Sequence, residues 1–179
     1  LASAKSRWIE RETARGQIGK LLDGLKHRNR IDLLNRRTQG RGSNRRIVVD
    51  GKRTLPATDE QRDRVSHSMS IFAASRENPG FFRVLDVARR IAGTGNLGLD
   101  RFVVLVRGKN SPDGHHLLDL KEARPSALGA HLVNPQPRWP SEADRVVSVQ
   151  RRMQAVLRPV QVAERLAQPA KAQALPLEV

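Results

Sequence analysis

Arg101-Phe102-Val103-Val104-Leu105-Val106-Arg107 is the stretch on which the fold turns. Five consecutive apolar residues, three of them β-branched valines, stand between two arginines. That β-branched run is the clearest strand in the sequence. Working outward, Gly108 to Gly114 carries Asn110, Pro112 and Asp113 and reads as a turn. His116-Leu117-Leu118-Asp119-Leu120-Lys121 follows as a further strand. On the other side, Phe82, Val84, Leu85, Val87 and Ile91 mark a strand that runs into Gly93-Thr94-Gly95-Asn96-Leu97-Gly98. Consecutive strands on short connections favour an antiparallel meander.

Two helices flank this region. Thr58 is a good N-cap, with Asp59 and Glu60 in the first turn. Val65, Met69 and Phe72 continue that helix to about Glu77, where Asn78-Pro79-Gly80 stops it. Pro140-Ser141 opens the second helix, with Glu142, Val146, Val149, Met153 and Val156 on one stripe. The expected fold is α+β: a small antiparallel sheet from residues 81–123 packed on a helix over 141–157. Ser3 to His27 is helical in pattern, through Trp8, Ile18, Leu21, Leu22 and Leu25. Arg28 to Arg46 reads as a mobile loop, and Ile47 to Leu55 as a hairpin turning at Asp50-Gly51. Pro159, Pro169 and Pro176 mark residues 158–179 as a frayed tail. The domain expectation is therefore a basic arm over 1–46, an α+β domain over 47–157 and a disordered tail over 158–179.

The 179 residues suffice for a core without staples, and the absence of Cys excludes disulfides, thiol nucleophiles and Cys-ligated metals. No Tyr and few aromatics leave an aliphatic core and scarce base-stacking platforms. No apolar run approaches the roughly 20 residues of a membrane span, and no signal-peptide pattern is seen, so the expectation is cytoplasmic with no membrane partner. Starting at Leu1, the chain reads as a fragment. The net charge is +15, and residues 1–56 hold 15 Lys/Arg against 5 Asp/Glu. A basic arm calls for an anionic partner.

The glycine segment has the spacing G-x-G-x-x-G. In a dinucleotide-binding unit a helix must follow, and here the Phe102–Val106 strand follows, so that reading fails on context. The alternative is a strand–glycine loop–strand flap over nucleotide phosphates. There Gly93, Thr94, Gly95, Asn96, Leu97 and Gly98 let backbone N–H groups approach the anion, and a strand lysine neutralises it. Lys121 is that lysine, and period-2 alternation sends it to the face opposite Leu118 and Leu120. Glu122 shares the face of the leucines.

The wording Arg89-Arg90-Ile91-Ala92 into the glycine segment, then Leu118-Asp119-Leu120-Lys121-Glu122-Ala123-Arg124 and Gln150-Arg151-Arg152-Met153-Gln154, resembles the bacterial "domain of unknown function 2252" family. The likeness runs from about Ile47 to Val156. Beyond it stands a resemblance to the N-terminal lobe of protein-kinase-like proteins. That implies ATP with Mg²⁺ as cofactor, an unknown acceptor substrate, Lys121 on the phosphates and Glu142 orienting Lys121. It also implies that the chain is the N-terminal part of a longer protein. Two departures stand out: Asp100 replaces the Val expected two residues after the last glycine, and neither a His-x-Asp nor an Asp-Phe-Gly string occurs. Transfer chemistry by these residues alone is therefore not expected. The rival reading is an Arg-rich nucleic-acid-binding module built on Arg28, Arg30, Arg36, Arg37, Arg41, Arg45 and Arg46; a third is a truncated product without activity. His115-His116 is expected to be solvated, and no metal site is expected.

Overall fold

The computed structural model describes residues 12–25, 29–91, 93, 98–109, 114–134, 136–153, 161–165 and 172–176. The apolar run becomes β5 (Arg101–Val106), paired antiparallel with β4 (Val84–Arg90) on one side and β6 (His116–Glu122) on the other. With β3 (Thr54–Pro56), β7 (Gln161–Arg165) and β8 (Ala172–Pro176), the strands form a six-stranded antiparallel sheet in the order β3-β4-β5-β6-β8-β7. The α+β expectation holds, and the meander forms as read. The stretch over 158–179, expected to be disordered, instead supplies two strands. β8 pairs with the open edge of β6, Lys121 opposite Ala174 and Glu122 opposite Gln173, which satisfies backbone groups an edge would leave bare.

One face of the sheet builds the main core. Val87, Phe102, Val104, Val106, Leu118 and Leu120 pack on Val65, Met69 and Phe72 of α3 (Asp59–Ala74). Thr58 caps α3 in a reciprocal pair with Gln61. The helix expected to cover the sheet, α4 (Glu142–Met153), does pack on it, but at the β7–β8 end, while α3 covers the centre. The difference lies in what each helix can bury. α3 offers three large apolar side chains that are essentially fully buried, whereas α4 buries Ala143 and Val147 against Ala123. Val149 and Met153, placed on the buried stripe by periodicity, are 40% and 81% exposed.

The second face is covered from the N-terminal side. Leu34 of α2 (Arg30–Arg37) and Ile47 pack on Ala88, Leu105, Val103 and Leu117. The segment expected to be a mobile loop thus folds: Asn29 caps α2, and β1 (Thr38–Gln39) pairs with β2 (Arg46–Ile47). Arginines do part of this work. Arg45 is buried and donates to Asn35, and Arg46 donates to the carbonyls of Ser43 and Arg45. α1 (Gly16–Leu25) buries none of its residues. The Ile47–Leu55 hairpin also needs correction. The Asp50 carboxylate accepts N–H bonds from Lys52, Arg53 and Thr54, which hold it far below the usual carboxylate range. The turn therefore forms, but its arms diverge, Ile47 pairing with Thr38 and Thr54 with Arg90.

Arg30 ties α2 to the sheet by donating to the His115 carbonyl at 2.8 Å. His115 is buried and His116 half-buried against Phe81, so neither is a solvated turn residue. Burial, then the charges of Arg30 and Lys109 and neighbouring His115, push the His116 pKa below its ordinary 6.5. The folded state thus resists a proton that the unfolded chain takes up. As pH falls through 6.5 the unfolded chain gains protons first, and stability drops. Denaturant unfolding at pH 7.5 and 5.5 checks this: wild type loses stability at the lower pH, and His116→Phe loses less. An equal loss in both would assign the pH effect elsewhere.

Candidate anion-binding site

The site forms where β4, β5 and β6 meet the glycine connection. Ala88, Val103, Leu105 and Leu117 mark the second face of the sheet, and Arg90, Arg101, Asp119 and Lys121 share their parity. The register sets Arg101 opposite Lys121, and Arg90 follows Arg89, which stands opposite Phe102. Three cations therefore lie in a row across three neighbouring strands. The Asp119 carboxylate sits among them with 3% of its side chain exposed. It accepts from Arg90 at 2.9 Å and from Arg101 in a close bidentate contact. Among the described residues Lys121 has no ion-pair partner, so the row keeps an excess of positive charge on one partly covered face.

The row lies at the end of the sheet where the glycine connection leaves it. Gly93 and Gly98 take positive φ, 66° and 76°, a conformation that glycine adopts without strain. Thr94, Gly95, Asn96 and Leu97 lie outside the described residues. Both stems are anchored. On the β4 side the Ile91 N–H donates to the Arg53 carbonyl at 2.8 Å. On the β5 side Asp100 and Glu122 exchange bonds: the Asp100 N–H donates to the Glu122 carboxylate and the Glu122 N–H to the Asp100 carbonyl, both at 2.9 Å. Arg64 of α3 donates to the Asp100 carboxylate at 2.6 Å. Arg124 donates to Glu122 and also to the Gly98 carbonyl at 3.1 Å. The Glu122 carboxylate raises the Arg124 pKa above its usual value. Asp100, a departure from the kinase pattern, is thus the joint between the glycine connection, β6 and α3.

Glu142 does not join the site. Its carboxylate accepts from Arg145, one turn along α4, at 2.6 Å, and it makes no bond with Lys121. The docking of Ala143 and Val147 on Ala123 decides which side of α4 faces inward, and Glu142 lies beside that contact. The carboxylate that does stand among the cations is Asp119. Asp119 shares Lys121's parity along β6, and that alternation is the sequence signal that points to it.

A family model described as an uncharacterized protein conserved in bacteria (DUF2252) matches residues 2–173. The chain belongs to this family. The match extends on both sides beyond the 47–156 span in which its wording was recognised. Neither the curated proteins nor the solved structures include a match to the chain. No helix of this DUF2252 chain, among the described residues, is long and apolar enough to cross a membrane.

Proposed function

We propose that this DUF2252 chain binds the phosphates of a nucleotide on the sheet face that carries Lys121, in the manner of a kinase N-terminal lobe. The observation carrying the reading is the cross-strand row of Arg90, Arg101 and Lys121 beside the glycine connection, with Asp119 as its internal counter-ion. Asp119 holds the two guanidinium groups in place, and the Lys121 ammonium remains for an external anion. A lysine serves there as a compact point charge on a rigid strand. Gly93 and Gly98 leave the backbone able to approach an oxyanion closely.

ATP with Mg²⁺ is the ligand that the kinase resemblance implies. The cation row suits the triphosphate. The described residues offer no cluster of three His, Asp or Glu side chains for a metal, so the reading assigns them phosphate binding alone. Bound Mg²⁺ supplies further charge neutralisation on the phosphates. Phosphoryl transfer to an acceptor, whose identity stays open, needs a base and metal ligands, and no His-x-Asp or Asp-Phe-Gly string in this sequence provides them.

Calorimetric titration with Mg-ATP tests the reading. Lys121→Ala is expected to weaken binding roughly tenfold or more, the loss of one charge-assisted contact, and the remaining affinity is expected to fall with salt. Equal affinity in wild type and Lys121→Ala would remove Lys121 from the site.

A further inference from the structure

Beneath α2, the second face of the sheet carries a cleft of about 240 Å³ that borders the cation row at Arg90 and Asp119 but extends away from Lys121. Leu33, Ile47, Val103 and Leu117 give it an apolar wall, and Arg37 and Arg53 line it too. Arg90 and Asp119 also reach the cleft, but they pair with each other. The guanidinium groups of Arg37 and Arg53 have no hydrogen-bond or ion-pair partner among the described residues. Two guanidinium groups without a counter-ion among the described residues thus line a hollow whose other lining is an apolar wall, Thr54 and the Arg90–Asp119 pair. That is a chemical specification: a short apolar body carrying one planar anionic group.

We infer that this cleft binds a small organic monocarboxylate, its ring or chain against Leu33, Val103 and Leu117 and its carboxylate on Arg37 and Arg53. The size fits, because a cavity of about 150 Å³ already admits a benzene ring. The charge fits as well, because guanidinium and carboxylate match as planar forks that form paired hydrogen bonds. Burying the apolar body against the wall adds roughly 25 cal/mol per Å² of apolar surface removed from water. Neither Lys121 nor the glycine connection lines the cleft, so Lys121→Ala separates the two sites although both border the Arg90–Asp119 pair.

Benzoate is the probe, followed by amide resonances in an NMR titration, with benzamide as its neutral counterpart. Benzoate is expected to saturate and to shift Leu33, Ile47, Val103 and Leu117, while benzamide does not saturate over the same range. Arg37→Gln and Arg53→Gln are each expected to weaken benzoate roughly tenfold. Arg53 is exposed and its guanidinium makes no hydrogen bond or ion pair among the described residues, so that variant leaves the fold intact. Leu33→Phe, at a position 37% exposed, is expected to fill the cleft and abolish binding. Lys121→Ala is expected to bind benzoate as wild type does. A flat benzoate titration, equal binding of benzamide, or unchanged affinity in the two arginine variants overturns the inference.

Discussion

Asp119→Asn is expected to destabilise the protein by about 3–5 kcal/mol, the cost of leaving buried charges without their partner. Asp119 has 3% of its side chain exposed and Arg101 14%, so the carboxylate neutralises Arg101 where water hardly reaches. Arg90, at 35%, can turn partly toward solvent and suffers less. In a chain of this length each kcal/mol shifts the melting temperature by roughly 2–4 °C, so a fall of roughly 10 °C is expected. Thermal and urea unfolding measure it. Replacing all three side chains at once, Arg90→Met, Arg101→Met and Asp119→Leu, is expected to cost less than Asp119→Asn alone, since no unpaired charge is left behind. A loss below about 1 kcal/mol for Asp119→Asn would mean that water reaches the cluster and that Asp119 does not hold the cation row together.

Phe72→Ala is expected to cost a similar amount, about 3–5 kcal/mol, for a different reason. Phe72 is fully buried, meets the Phe82 ring edge-on at 4.9 Å and lies under the Arg76 guanidinium at 4.3 Å. Truncation leaves a cavity between α3 and the sheet that a close-packed core refills only in part. The effect reaches the site through α3, because Arg64 on that helix anchors Asp100 at the β5 stem of the glycine connection. Urea unfolding is expected to show the stability loss, and hydrogen exchange to show faster opening of the Asp100 N–H bonded to Glu122. If that amide kept its protection while global stability fell, the stem would not depend on the α3 contact.

The two variants separate two supports of the same surface. Asp119 works within the second face, by charge, and Phe72 works from the first face, by volume. The anion-binding reading needs both, since a row of three cations on one face requires internal neutralisation and a sheet rigid enough to keep the register Arg101 to Lys121.

Elements whose information is local were legible from the sequence. The run Phe102 to Val106, the alternation Leu118-Asp119-Leu120-Lys121, the cap at Thr58 and the stop at Asn78-Pro79-Gly80 each act over a few residues, and β5, β6 and α3 formed where those signals lie. Parity within one strand placed Lys121 and Glu122 on opposite faces, and Glu122 is indeed buried away from Lys121, bonded to Asp100. What tertiary structure alone decided depends on segments far apart in the chain. Asp50 makes its turn, but whether Ile47 and Thr54 pair with each other was settled by Thr38 and Arg90, which compete for their backbone groups. The apolar stripe of α4 was set by the small residues that let it approach Ala123, not by its largest ones, and Glu142 was carried away from Lys121 with it. Asp119 acquired its two arginines only when strand register placed three parities on one face. Local sequence encodes which way a side chain points; pairing between distant strands decides what it meets there.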